Sequence, residues 1–410
     1  MKKVEPGSGP QPVPYGRHQI DDDDIAAVVE VLKGDWLTSG PQVEEFERAL
    51  AERLGVEHAV VCSSGTAALH LAALALELGP GDVLFVPTIT FVATANAARY
   101  VGAEVVFVDV EPDSGLLDIN SLNRALEDHR TEGRRVISPV HLMGQCPDMV
   151  ELAKTASRHN AVIVEDACHA IGTTYPDANG NQVNAGACEH SEMAVFSFHP
   201  VKTIAMGEGG AVTTGNAGLA ERMRLMRSHG IHREAGKFEL NDRAFDQSGT
   251  ANPWYYEQTD LGFNYRASDI HCALGLSQLR KLDRFSRARK ELAARYDKLL
   301  AEHSGVVKTV SRTPGCDPAW HLYVVLIDFE GMGIERSALM RDLRERGVGT
   351  QVHYIPVHTQ PYYRQSNSDS DFPGAEAYYA RALTLPLFPG MQTDDVDHIV
   401  ETLISLLAPH

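Results

Sequence analysis

Lys202 stands in the run Ser197-Phe198-His199-Pro200-Val201-Lys202-Thr203-Ile204, followed by the flexible stretch Gly207-Glu208-Gly209-Gly210. An apolar, strand-like segment from Met193 to Phe198 precedes it, so the lysine is expected to emerge at a buried strand end. Burial disfavours the ammonium, lowers its pKa and frees the amine to attack a carbonyl. A lone lysine in such a place also reads as a side chain that snorkels to solvent. What accompanies it decides between the two.

Three further motifs sit where a doubly wound sheet places its ligands, at the carboxyl ends of strands. In Cys62-Ser63-Ser64-Gly65-Thr66-Ala67-Ala68 a strand gives way to small hydroxyl residues, a glycine and a helix. Free N–H groups at that helix start, with the hydroxyls, form a phosphate cradle, although the same residues serve as an ordinary N-cap. The glycine spacing and Lys-Ser/Thr ending of a P-loop are missing. In Val162-Ile163-Val164-Glu165-Asp166-Ala167-Cys168-His169 an apolar strand ends in a carboxylate, either structural or able to keep a ring nitrogen protonated. In Thr90-Phe91-Val92-Ala93-Thr94, Phe91 is either a core residue or a ring that lies flat on an aromatic cofactor. Phosphate cradle, ring stacker, acid and buried lysine are together the parts that hold pyridoxal 5'-phosphate (PLP) as a Schiff base.

The elements that must position these residues follow from hydrophobic patterning. From Val60 the chain alternates β-branched runs with alanine- and leucine-rich stretches, the pattern of an α/β protein with a mostly parallel sheet covered by helices. Strands are expected at Ala59 to Cys62, Val83 to Val86, Glu104 to Val108, Arg135 to Val140, Ala161 to Glu165, Met193 to Phe198 and Ala211 to Thr213. The acidic run Asp21 to Asp24 reads as a helix N-terminus favoured by the macrodipole, not a calcium loop. Arg233 to Gln258 is polar and reads as a surface excursion. After Arg266 a long helix is expected from Ser268 to about His303. A strand at Leu322 to Phe329, a helix at Ile334 to Arg346, a strand near Gly349 to Tyr354 and a last helix at Asp394 to Leu407 then follow. The division expected is a flexible tail over 1–14, a large domain over 15–267 and a smaller α+β domain over 268–410.

Composition narrows the partners. The 410 residues carry 37 Lys and Arg against 55 Asp and Glu, a formal charge of -18, which disfavours nucleic acid and anionic membranes. An anionic ligand therefore has to be met by local donors. No apolar run approaches the length of a membrane span and no leader pattern follows Met1, so a cytoplasmic protein is expected. Six cysteines are scattered without a C-x-x-C pair, which argues for reduced thiols. Eighteen histidines include no H-E-x-x-H or comparable spacing, so no catalytic metal is expected.

Over nearly all of its length after the tail the sequence resembles the DegT/DnrJ/StrS family of fold type I, PLP-dependent sugar aminotransferases. The matching stretches include Trp36-Leu37-Thr38-Ser39-Gly40-Pro41, the Ser-Ser-Gly-Thr turn, Asp166 and its neighbours, Ser197 to Gly210, Leu261 to Arg266 and Val352-His353-Tyr354-Ile355-Pro356. Within the family, on Phe196 to Lys202, Arg227 to Ile231, Pro253 to Glu257 and Asn264 to Ile270, it looks most similar to aminotransferases of the pseudaminic acid pathway, which act at C4 of a UDP-linked 4-keto-6-deoxy-N-acetylhexosamine. Enzymes of perosamine or bacillosamine type are the alternative. The resemblance implies that Lys202 holds the cofactor and shuttles a proton, that Asp166 pairs with the pyridinium nitrogen and that Phe91 stacks on the ring. It implies phosphate binding by Ser64, Gly65, Thr66 and Ser197, and by Asn264 from a neighbouring subunit, hence a homodimer with shared sites. L-Glutamate is the implied amine donor and a nucleotide-linked keto sugar the acceptor. Position 169 departs from the family, where many members carry glutamine and this chain has His169, whose charge state is open. Trp36, Thr38, His321 and His353 are candidate contacts to the sugar nucleotide. A dehydratase of the same fold replaces the lysine by histidine, so Lys202 counts against it. A non-catalytic regulator is disfavoured by the intact Lys202, Asp166 and phosphate turn, and a Rossmann dehydrogenase by the absence of G-x-G-x-x-G after the first strand.

Overall fold

The acidic run at the start of the chain opens a helix. In a computed structural model that describes residues 12–364 and 371–408, Asp21 caps α1 (Asp22–Lys33) in a reciprocal capping box with Asp24. Asp24 itself is fully buried. The helix α2 (Pro41–Leu54) begins on its proline and stops at Gly55, whose φ of 76° only glycine adopts without strain. An alternating series follows: β1 (His58–Cys62), α3 (Gly65–Ala75), β2 (Val83–Pro87), α4 (Val92–Tyr100), β3 (Glu104–Val108), α5 (Ile119–Asp128), β4 (Arg135–Ile137), α6 (Met149–Arg158) and β5 (Ala161–Asp166). A hairpin of β6 (Thr174–Pro176) and β7 (Gln182–Asn184) leads to β8 (Met193–Ser197), β9 (Gly210–Thr214) and α7 (Ala217–Arg227). The polar excursion holds β10 (Ile231–His232), α8 (Asn241–Ala244) and β11 (Glu257–Gln258), with β10 paired to β11. The chain ends with α9 (Asp269–Leu279), α10 (Leu282–Ala301), β12 (Val307–Thr309), β13 (Tyr323–Ile327), α11 (Arg336–Glu345), α12 (Pro373–Arg381), β14 (Ala382–Leu385) and α13 (Thr393–Leu407).

Seven strands form one sheet in the order β1-β9-β8-β5-β4-β2-β3, parallel from β8 to β3, with β9 antiparallel to both neighbours. Helices cover both faces, so the strands are buried throughout and side-chain alternation only chooses the face. In β5, Val164 packs with α3, α4 and α7, while Ile163 packs with α2, α5 and α6 on the other side. The same period of two turns Asp166 toward the α3/α4 face and Glu165 away from it. Glu165 pairs with His141 at 2.7 Å on the far side, both fully buried.

A second layer, β12-β13-β14, packs with α10 to α13, and its core runs on into Val86, Phe107, Val140 and Leu142 of the first part. Among the described residues no helix is long and apolar enough to cross a membrane.

Four expectations change. Residues 1–11 lie outside the described residues, but 12–14 are held: Val13 pairs with Val348, exchanging bonds of 2.8 Å with Gly347 and Gly349. The long helix expected from Ser268 to His303 breaks between Leu279 and Leu282, where Ser277, Gln278 and Lys281 turn in to hold the buried Asp24. The boundary drawn at residue 268 thus falls at the start of α9, which packs on α1 and α2, and α10 carries the chain across: Leu282 and Phe285 belong to the first core, Leu292 to Leu300 to the second. Gly349 to Tyr354 is no strand, because Gly349 is taken up by Val13 and only Gln351 reaches β14, at Thr384.

Candidate cofactor and substrate site

The carboxyl ends of β1, β5 and β8 open into a cavity of about 330 Å3. Ser64, Gly65 and Thr66 line one side, with Ser197 next to them, and Phe91 stands at the rim. Asp166, Cys168 and Lys202 line it where β5 and β8 end, and His169, His321 and His353 line it as well, each near enough to Lys202 to feel its charge.

The cradle is built as its sequence requires. Ser64 caps α3, accepting from Ala67 N–H at 3.1 Å, which leaves the amides of the first turn facing the cavity. Two close approaches demand glycine: a Cβ on Gly65 would sit 2.8 Å from Ser197 Cβ, and one on Gly210 2.3 Å from the Ser64 carbonyl oxygen. Gly65→Ala is therefore expected to force the turn apart, at a cost of about 1–3 kcal/mol. Cofactor affinity should fall about tenfold or more, measured by titrating the apoprotein with PLP and following visible absorbance.

Asp166, only 5% exposed, is fixed at both oxygens. Thr94 Oγ1 donates to Oδ2 at 2.6 Å and Cys168 N–H to Oδ1 at 3.2 Å, while the Thr90 hydroxyl stands 2.9 Å from that of Thr94. Lys202 follows a tight turn in which its own N–H donates to the His199 carbonyl at 2.8 Å. Part of its surface opens into the cavity, yet the protein encloses the ammonium closely enough that burial lowers its pKa, against the opposing pull of Cys168 and Asp166.

The histidine wall is neutral. Burial, aided by Lys202, pushes His353 down to about 3 and holds His169 and His321 well below the usual imidazole range. Met143 N–H donates to His169 Nδ1 at 3.3 Å, so the ring's proton sits on Nε2, which stands 3.1 Å from the Tyr354 hydroxyl. Tyr354 is left with its own hydrogen to give. His353 Nδ1 meets the Thr384 hydroxyl at 2.8 Å, and Tyr15 packs over the ring at a centroid distance of 5.7 Å.

Three expected residues lie elsewhere. Asn264 is exposed, bridged to Ser228, and does not line this cavity. Trp36, 60% exposed, borders a separate hollow between α1, α2 and α9, and Thr38 is exposed and paired with Ser268. Sequence reasoning missed Thr94, Tyr354 and Tyr15. The first two lie inside motifs already singled out, beside Phe91 and His353.

The donor set fits PLP. Amides and hydroxyls can meet a phosphate, an oriented carboxylate can meet a ring nitrogen, and an amine shares the cavity with hydrogen-bonding imidazoles. The model of the DegT/DnrJ/EryC1/StrS aminotransferase family matches residues 18–404. The spore coat polysaccharide biosynthesis protein SpsC of Bacillus subtilis is 36% identical over 394 residues, 95% of this chain and 96% of its own length. Among solved structures, Helicobacter pylori PseC, an aminotransferase involved in pseudaminic acid biosynthesis, superposes with a TM-score of 0.84 at 29% identity, covering 96% of this chain and 99% of its own. The PLP form of Spr1654 of Streptococcus pneumoniae gives 0.84 at 27% identity, covering 97% and 98%.

Proposed function

The chain belongs to the DegT/DnrJ/EryC1/StrS aminotransferase family, and on that premise we propose that it moves the amine of L-glutamate to C4 of a nucleotide-linked 4-keto-6-deoxy sugar. It is a sugar aminotransferase of fold type I that depends on PLP. The convergence of Lys202, Asp166 and the Ser64 turn on one cavity carries the proposal. For the sugar we favour UDP-4-keto-6-deoxy-N-acetylhexosamine, the pseudaminic acid type, supported by the likeness to PseC along the whole chain. The reaction is assigned to the cytoplasm.

When bound, PLP supplies an electron sink for the carbon that gains or loses the amine. Asp166, oriented by Thr94, keeps the proton on the cofactor's ring nitrogen. Ser64, Gly65, Thr66 and Ser197 would bind the phosphate, Phe91 would cover the ring, and His169 and Tyr354 would offer it hydrogen-bond donors. Lys202 would hold the cofactor and move a proton at the reacting carbon. Glutamate and the keto sugar occupy the cavity in turn, as a ping-pong scheme requires.

We assign a homodimer with shared sites. Phe91 is 57% exposed at the cavity rim and Leu261, beside Asn264, is 83% exposed, a pattern a second subunit would cover. Asn264 then serves the neighbour's phosphate.

Holoenzyme incubated with 15N-glutamate and UDP-, dTDP- or GDP-linked 4-keto-6-deoxy sugars is expected to place the label in the UDP sugar. Labelling of the GDP sugar alone would favour the perosamine type instead, and labelling of none would remove the proposal.

A further inference from the structure

We propose that the cavity wall formed by His321 and His353, backed by Arg289, is the subsite for a carboxylate of the amino donor, an assignment that rests on the aminotransferase reading above. Among the described residues no arginine lines the cavity, and Lys202 is its one lysine. That amine is committed to the cofactor. An amino acid donor brings a carboxylate one bond from the reacting carbon, so a charge partner has to lie close to Lys202.

Arg289 is a buried cation without an anion. It is 1% exposed, and its Nη1 donates only to backbone carbonyls: Trp320 at 3.4 Å, His321 at 3.0 Å and Leu387 at 2.8 Å. Its Nε has no partner, and among the described residues no carboxylate forms an ion pair with it. Folded proteins rarely bury a guanidinium unpaired, because its lost hydration has to be replaced. Here the charge stands directly behind His321, whose carbonyl it holds. His321 is 4% exposed, lines the cavity, and has a buried Nδ1 with no hydrogen-bond partner.

The groups that act most directly on these rings are cations or other imidazoles, while the carboxylates of Asp166 and Glu208 also line the cavity. His321 faces His169, Lys202, Arg289 and His353, and its N–H donates to the Met143 carbonyl. His353 faces Lys202, its Nδ1 meets the Thr384 hydroxyl, and the rings of Tyr15 and Tyr354 pack against it. A carboxylate entering this wall meets positive potential and two imidazoles that gain basicity from its arrival. The sugar's diphosphate is the other anion, but it sits on C1, across the sugar ring from the C4 that must reach Lys202. The wall is therefore assigned to the donor.

The probe is glutarate, a dicarboxylate with no amine to transfer, titrated into holoenzyme by calorimetry at pH 7 in two buffers of different ionisation enthalpy. Wild type is expected to take up protons as glutarate binds. His321→Gln and Arg289→Gln should each weaken glutarate at least about tenfold, with UDP affinity unchanged, whereas Arg289→Lys should stay close to wild type. Melting temperature and bound-cofactor absorbance check the fold, and His321→Gln decides the matter if Arg289→Gln does not fold. Unchanged glutarate affinity in His321→Gln, a parallel loss of UDP affinity, or binding without proton uptake would overturn the assignment. Failure of the aminotransferase reading looks different: glutamate would then leave the visible absorbance of the wild-type holoenzyme untouched.

Discussion

Lys202→Ala is expected to lower kcat by at least about 10,000-fold. Two losses combine in that figure. On the proposed roles, the variant loses both the amine that would hold the cofactor and the base that would move the proton at the reacting carbon. Among the described residues that line the cavity no second amine stands beside Lys202: His169 and His353 are held by Met143 and Thr384, His321 stands beside Arg289, and Cys168 keeps its proton because burial raises its thiol pKa well above the usual range. Lys202→Arg should not rescue, since a guanidinium stays protonated. Added methylamine should restore a measurable fraction, because what is missing is an amine at one place. The measurement is single-turnover conversion of glutamate to 2-oxoglutarate with the PLP-loaded variant. Turnover within tenfold of wild type would remove Lys202 from the mechanism.

Asp166→Asn is expected to cost about 1,000-fold in kcat with a smaller effect on cofactor affinity. The amide nearly preserves shape, and Thr94 can turn its hydroxyl to meet either end of it. What disappears is the negative charge that, on the proposed role, would keep a proton on the ring nitrogen, without which the ring is a poor electron sink. Because the phosphate turn at Ser64 is a separate anchor, binding should persist while chemistry fails. Equal losses in affinity and kcat would instead mark Asp166 as a structural residue of the β5 end. The comparison needs a PLP titration and pre-steady-state rates for both half-reactions.

The strand ends were legible because their chemistry is local. A buried strand that ends in Asp166, or in Ser197 with Lys202 a few residues on, announces itself by an apolar run meeting a polar group. The wall at His321 and His353 was visible only as two histidines in motifs, since its geometry comes from residues far away in sequence: Met143 against His169, Thr384 against His353, Arg289 against the Trp320–His321 turn. Arg289 itself reads as one more charged residue of a helix rich in Lys and Arg. The break between α9 and α10 was hidden for a similar reason, for no proline or glycine marks it and the cause is Asp24, which lies in α1. Trp36 and Thr38 carried the family's pattern without revealing that a single chain leaves both on its surface.

The 20 residues of α10 form a strut about 30 Å long whose two halves are embedded in different cores. A strut of that kind resists bending, and the apolar packing that continues past it into Val86, Phe107 and Leu142 leaves little room for the two layers to swing apart. An amino acid and a far larger nucleotide sugar must use the same chamber in succession, so the chamber cannot be tailored to each by clamping down. Discrimination then falls to how deep each ligand reaches into the chamber.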